Sequence, residues 1–161
     1  MSEVLRPAPR PIGERDLDEL VDLCREHAAY ERAAFVERAD HARALGALLA
    51  AEDAFAWVVE GTGELAGFAT AFLERSTWDA ARFLHMDCLY LRPAYRGRGL
   101  GRRLMGEVAR TARERGAVNL QWQTPVWNEG AVRFYRRLGG GDAEKQRFTV
   151  AGDALEALAQ R

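Results

Sequence analysis

Arg92-Pro93-Ala94-Tyr95-Arg96-Gly97-Arg98-Gly99-Leu100-Gly101-Arg102-Arg103-Leu104 is the stretch from which the fold can be read. Before it, Phe83 to Leu91 is an apolar run with the composition of a strand. Pro93 ends that run, because proline has no N–H to give a sheet ladder. After it, Leu100, Leu104, Val108 and Ala112 recur at helical spacing, so a helix is expected from Gly99 to Arg115, with Gly116 closing it. Strand, glycine-rich loop and helix follow one another. Three glycines at alternate positions let backbone come close to a ligand, where a plain turn needs only one. The start of the helix offers unsatisfied N–H groups and the positive end of its dipole, which together bind anions. Arg96, Arg98, Arg102 and Arg103 add charge suited to phosphate. The competing reading is an ordinary strand-to-helix turn with solvated arginines.

The P-loop pattern G-x-x-x-x-G-K-[ST] does not fit, since the segment has no lysine and no serine. The dinucleotide pattern G-x-G-x-x-G fails on spacing. What stands is R-x-x-G-x-G, from Arg96 to Gly101.

Toward the N terminus, Phe55 to Glu60 and Leu65 to Leu73 read as two strands joined by a Gly61-Thr62-Gly63-Glu64 turn. Polar Arg75 to Arg82 reads as the loop leading into the Phe83 strand. Asp40 to Ala50 carries a helical stripe of Ala44, Leu45, Leu48 and Leu49. An earlier helix is predicted from Leu17, Leu20, Val21, Cys24 and Ala28. It runs to about Tyr30, with Asp16 as N-cap and Glu19 completing a capping box. Residues 1–9 are expected to be a loose lead-in before a short edge strand at Arg10 to Ile12. Toward the C terminus, Val118 to Thr124 is predicted as a strand, Glu129 to Leu138 as a helix, and Gly139-Gly140-Gly141 as a break. Gln146 to Val150 is predicted as a last strand, followed by a short alanine-rich helix. The order β-α-α-β-β-β-α-β-α-β gives a mixed α/β fold in a single domain, residues 1–161.

Composition narrows the function. With 161 residues, 48% hydrophobic and 29% charged, the chain suits one globular domain. No stretch reaches the ~20 apolar residues of a membrane span. The start, MSEVLRPAPRPIG, lacks the apolar core of a secretory signal. A cytoplasmic protein with no membrane partner is expected. A net charge of −1 argues against a nucleic-acid partner. Ser2 and Ser76 are the only serines and neither lies in G-x-S-x-G, which argues against a serine-nucleophile hydrolase. Cys24 and Cys88 read as buried free thiols of a reducing compartment. His27, His41 and His85 lack ligand spacing, so no metal is expected. Lys145 is the one lysine, and this arginine and alanine bias suggests a GC-rich bacterial genome.

A second segment stands beside the first. Trp127-Asn128-Glu129-Gly130-Ala131-Val132-Arg133-Phe134-Tyr135-Arg136-Arg137-Leu138-Gly139 spells N-x-x-A-x-x-F-Y-x-x-x-G, with Asn128 suited to cap a helix. In this order, the two segments resemble motifs A and B of the GNAT superfamily of acetyl-CoA-dependent N-acetyltransferases. The resemblance covers the chain from about Arg10 and is closest to the spermidine/spermine N-acetyltransferase branch. It rests there on Leu20 to Cys24 with Ala29-Tyr30-Glu31, on Gly67-Phe68-Ala69, on Trp78, and on Asp87-Cys88-Leu89-Tyr90-Leu91 ahead of Tyr95-Arg96-Gly97. It implies the GNAT fold, a mixed, mostly antiparallel central sheet flanked by helices, and a homodimer. It implies acetyl-CoA as cosubstrate, with its pyrophosphate over the loop. The binding positions carried over are Leu89, Leu91, Arg96, Gly97, Arg98, Gly99, Leu100, Gly101, Arg102, Asn128 and Tyr135. The amide of Leu89 would polarise the acetyl carbonyl, and Asn128 would hold the pantetheine arm.

An alkylammonium has a pKa of about 10, so the amine must lose a proton before it attacks a thioester. The reaction needs a base, a carbonyl polariser and an acid for the departing thiolate. Asp87 stands where the branch has a glutamate thought to act as base through water; the plainer reading is a carboxylate holding an arginine. Tyr135 is the implied general acid, or else a packed tyrosine. Tyr30, Glu31, Trp78 and His85 join Asp87 on the implied substrate side. His85 shares a strand face with Asp87 if alternation holds, and reads also as a core histidine. Cys88 stands where the polyamine enzymes carry an aspartate, which turns the expectation toward a small amine or amino acid. The implied function is acetyl transfer to a primary amine of a small molecule: a polyamine, a diamine or an amino-acid-like compound. The alternatives are a protein or peptide acetyltransferase and a catalytically silent CoA-binding regulator.

Overall fold

A five-stranded sheet organises the chain up to Pro125. The computed structural model describes residues 7–160. Strands β1 (Arg10–Pro11), β2 (Ala54–Glu60), β3 (Leu65–Ser76), β4 (Ala81–Leu91) and β5 (Leu120–Gln121) lie side by side in chain order. The first four are antiparallel, and β5 runs parallel to β4. Register aligns Val58, Phe68 and Tyr90 across β2, β3 and β4. These pack with Leu20 and Leu23 of helix α1 (Leu17–Tyr30), and Leu45 and Leu49 of α2 (His41–Leu49) join the same core. Their strand neighbours point to the opposite face. There α3 (Leu100–Glu114) packs against β2, β3 and β4, burying Leu100, Leu104, Met105, Val108 and Ala112. That stripe is the one its helical spacing predicts.

A second compact unit begins at Val126. It contains α4 (Glu129–Arg137) and α5 (Asp153–Ala159). The Asn128 side chain caps α4, accepting from the Ala131 N–H at 3.2 Å. Arg136 ties the end of α4 to Asp142 with contacts of 3.1 and 3.0 Å.

Four expectations need correction. Arg75 to Arg82 is not mainly a loop: the ladder runs on to the Ser76–Ala81 pair, because extending the hairpin satisfies backbone that polar side chains leave in water. Val118 to Thr124 shortens to the two residues of β5, the only two that pair with β4, at Leu84 and His85, among the described residues. Gln146 to Val150 forms no strand. Five alternating residues specify one only when a neighbouring strand completes the ladder. Asp16 does not cap α1 with its side chain. It accepts instead from the Gly13 N–H at 2.7 Å and from both terminal nitrogens of Arg10 at 2.7 and 2.8 Å. The Arg10 guanidinium holds this carboxyl below its usual range, against the opposing effect of burial. Glu19, the other half of the expected capping box, takes the Leu65 N–H at 2.7 Å and so bolts α1 to the β2–β3 turn.

No helix of the described residues is long and apolar enough to cross a membrane.

Candidate functional site

The β3–β4 ladder slips by one residue near its middle. Thr70 pairs with Cys88 but Ala71 pairs with Met86, so Asp87 is the extra residue of a β-bulge. A bulge bends its strand and re-aims a side chain. Asp87, expected inside an apolar strand, is exposed. Its charge nonetheless acts on Cys24 and His27 of α1. The Cys88 thiol lies 3.7 Å from Asp87 Oδ2. Burial pushes the Cys24 thiol up to about 11, with the Asp87 charge adding. The Cys88 thiol is pushed up for the same two reasons. A raised thiol pKa disfavours the nucleophilic thiolate, and both cysteines are half-buried and free.

Beyond the bulge β4 also has a free edge. The Arg92 N–H donates to the Ala66 carbonyl at 2.9 Å. Alternation along the ladder turns Tyr90 and Cys88 the same way, toward β3, and turns Leu89 and Leu91 outward. On that outward side β5 pairs only with Leu84 and His85. The N–H groups of Leu89 and Leu91 thus lie on an edge that no strand of the described residues covers. The outward Leu91 carbonyl takes Arg96 Nε at 2.8 Å.

The loop after β4 is braced at its base. Arg92 meets Glu19 and Glu64 at 2.8 Å each, Glu26 at 2.9 Å and the Leu65 carbonyl at 3.0 Å. Its carboxylate partners, Glu26 foremost, raise its pKa above the ordinary arginine value. The Tyr95 hydroxyl donates to Glu64 at 2.9 Å and accepts from the Thr62 N–H at 3.1 Å. Gly61 makes room for it, as a Cβ there would sit 2.5 Å from that hydroxyl. Gly97 and Gly99 have φ of +73° and +80°, the left-handed region where side chains are strained. Gly99 is the N-cap of α3, and helix geometry leaves the N–H groups of Leu100, Gly101 and Arg102 without intrahelical partners. This first turn fits a phosphate-bearing ligand. The Arg98 guanidinium sits 5.7 Å from the Tyr95 ring centroid.

On the α1 face a cluster forms that the sequence names only in part. The Arg96 guanidinium lies 4.5 Å from the Tyr30 ring and 5.5 Å from the Tyr90 ring. His27 stacks on Tyr90 at 5.3 Å and meets Glu31 at 3.3 Å. Tyr30, Glu31, Asp87 and Arg96 are thereby brought around His27 and Tyr90, neither of which is a sequence-predicted site residue. The spacing of His27 and Glu31, one helical turn apart, is the sequence signal that could have found the first. His85 stands away from this group, paired with Glu74 at 3.0 Å, and Trp78 is 97% exposed at the tip of the β3–β4 hairpin. Asn128 and Tyr135 belong to the second unit, where the Phe134 and Tyr135 rings lie 5.2 Å apart.

A cavity of about 360 Å³, lined by Glu52, Asp53, Leu73, Arg75, Arg82 and Arg115, opens at the opposite end of β3 and β4. None of the sequence-predicted site residues lines it. Among the described residues no group of three or more His, Cys, Asp or Glu could hold a metal ion.

Residues 17–140 match the Acetyltransferase (GNAT) family. The chain is 28% identical over 163 aligned positions to a thialysine N-epsilon-acetyltransferase of Bos taurus, covering 93% of this chain and 95% of that one. Its structure resembles that of a transcriptional regulator from Bacillus halodurans C-125, with a TM-score of 0.77 at 20% identity over 90% of this chain and 99% of the other. It also resembles AAC(6')-Iy in complex with the bisubstrate analog CoA-S-monomethyl-acetylneamine. There the TM-score is 0.74 at 18% identity, covering 89% of this chain and 97% of that one. The chain belongs to the GNAT family of acetyltransferases and is an acyltransferase.

Proposed function

We propose that this acetyltransferase carries an acetyl group from acetyl-CoA to the primary amine of a small molecule, by direct attack of the amine on the thioester. One observation carries the reading. The anion-accepting loop and the bulged, half-uncovered end of β4 are one continuous piece of chain, from Asp87 to Arg102. A pyrophosphate held at the loop therefore fixes what reaches the open strand edge. The CoA-linked ligand in one structural neighbour and the amine acceptor named in one relative support the choice of donor and acceptor.

Acetyl-CoA supplies the acyl group already activated as a thioester. The N–H groups of Gly97 through Arg102 take the pyrophosphate, with the dipole of α3 behind them. The Leu89 N–H, on the uncovered edge, donates to the acetyl oxygen as negative charge develops there. Asp87 accepts the ammonium proton through a water, since its side chain is short. Glu31 holds the ammonium end of the acceptor, with Tyr30 lining the same side. Tyr135 gives its phenolic proton to the departing sulfur, and Asn128 orients the pantetheine arm.

The test is acetyl-CoA turnover against panels of small amines and of peptides, read by thiol release. Turnover with peptides alone would make the chain a protein acetyltransferase, and binding without turnover a CoA-binding regulator. Gly99→Asp sharpens the assignment of the loop. Aspartate tolerates a positive φ better than most residues, so the fold should survive. Its carboxylate should lower acetyl-CoA affinity by about 10- to 100-fold, the range for charged contacts. Unchanged affinity in calorimetry would remove the pyrophosphate from this loop.

A further inference from the structure

Arg96 belongs to the loop by its backbone but not by its side chain. Its Nε is held by the Leu91 carbonyl, and its guanidinium lies over the rings of Tyr30 and Tyr90 on the α1 face. Tyr30 ends α1 and Tyr90 stacks on His27, so the cation stands on the side where Asp87 and Glu31 also lie. His27 feels all three charges: Glu31 and Asp87 favour its protonation and Arg96 opposes it. The two carboxylates are engaged elsewhere. Glu31 meets His27, and Asp87 receives the Cys88 thiol.

The contrast with Arg92, four positions earlier, is informative. Arg92 spends its guanidinium on three carboxylates and a carbonyl. Arg96 makes no ion pair among the described residues, and the one hydrogen bond of its side chain runs from Nε to the Leu91 carbonyl. It is also exposed. A guanidinium fork placed beside two aromatic rings, exposed and without a carboxylate partner, is suited to receive a carboxylate through two parallel hydrogen bonds. An acceptor carrying only positive charges would meet repulsion there. One carrying an amine at one end and a carboxylate at the other would match both signs.

Resting on the acetyl-transfer reading above, we infer that the acceptor is an amino acid or similar amine bearing its own carboxylate, that Arg96 receives the carboxylate, and that the reacting amine lies toward Asp87. Arg96 then has two tasks: its backbone helps form the donor loop and its side chain selects the acceptor.

The test compares matched acceptors that differ only by the carboxylate: L-lysine against cadaverine, and 4-aminobutyrate against propylamine. The full chain should show a kcat/KM about 10- to 100-fold higher for the carboxylate-bearing member, mainly through KM, as expected for a charged pair of hydrogen bonds. Arg96→Met should bring that ratio close to one. Arg96→Lys should fall between, having the charge without the fork. Any loss of acetyl-CoA binding is common to both acceptors and divides out of the ratio. Equal or better use of the decarboxylated partner by the wild-type protein, or a ratio unmoved in Arg96→Met, overturns the inference while leaving acetyl transfer intact. Failure to acetylate any amine of a wider panel overturns both.

Discussion

From Ala81 to Met86, β4 is held by β3 along one edge and by β5 on the other at Leu84 and His85; past the unpaired Asp87, Cys88 to Leu91 pair, among the described residues, with β3 alone. The first half points Leu84 and Met86 into the core, both nearly fully buried. The second half carries an exposed carboxylate and two outward N–H groups. The same strand therefore changes task within one residue, and the change coincides with the bulge. A bulge needs a firm ladder on each side of it, or the slip would spread along the strand. Here the sheet before Asp87 and the Arg92 ion cluster after Leu91 supply that firmness. Rigidity at both ends leaves room for an uncovered edge between them.

That division makes its strongest claim at the bulge itself. If the second half serves the chemistry and not the fold, Asp87→Asn should lower turnover by about 10²- to 10⁴-fold, the range for loss of a general base. Its thermal stability should stay within ~0.5 kcal/mol of the parent, as for an exposed residue. A clear loss of stability, or undiminished kcat/KM across pH, would break the contrast between the two halves.

In the proposed mechanism the second half would supply a base and a carbonyl donor but no acid, so the proton for the leaving sulfur is assigned to Tyr135. Tyr135→Phe keeps the ring and the helix and removes only the hydroxyl. Turnover should fall by about 10- to 10⁴-fold with acetyl-CoA affinity nearly unchanged. Wild-type turnover, with the chemical step shown to be rate-limiting, would hand that role to water or to the substrate.

The first half should respond in the opposite manner. Leu84 is fully buried between the sheet and its cover. Leu84→Ala should cost about 2–5 kcal/mol of stability through lost burial and the cavity left behind. At low temperature, where the variant is still folded, KM for acetyl-CoA should change little. A variant that keeps its Tm but loses acetyl-CoA would mean that the two halves are not separable.

Much of this was legible in the sequence because it is local. Helix α1 ends at Tyr30 as its periodicity predicts, and the α3 stripe and the Asn128 cap follow from neighbouring residues alone. Two of the three loop glycines, Gly97 and Gly99, adopt positive φ, and Gly101 lies within α3. What was not legible depends on distant partners. Nothing near Asp87 marks it as a bulge; the slip appears only when β3 fixes the register on both sides. The Arg92 cluster joins residues 28, 66 and 73 positions apart, and no pattern in one chain announces such pairs. Motif A gives Arg96 a place in the loop but says nothing of its side chain, which the Leu91 carbonyl and two tyrosines turn toward α1. At Gln146 to Val150 the local pattern was present and its partner was missing.

The smallest effect tests how the second half is held against α1. His27 stacks on Tyr90 and meets the edge of Phe68 at 6.2 Å, so the ring is part of the packing that covers this half of β4. Burial holds its pKa below the usual histidine value of about 6.5, while Glu31 and Asp87 oppose that shift and Arg96 adds to it. The folded protein then binds this proton less readily than the unfolded chain does. By linkage, stability is fully present above about pH 6.5 and is lost as pH falls through the folded value. His27→Gln cannot titrate, so its Tm relative to the parent should be lowest near neutral pH and should recover part of the gap as the solution is acidified. Other groups titrate in both proteins and cancel in that difference. A gap constant from about pH 7 to pH 5 would mean that the imidazole binds its proton equally well in the folded and unfolded chains, with Glu31 and Asp87 offsetting burial, and a gap that widened on acidification would mean that they outweigh it.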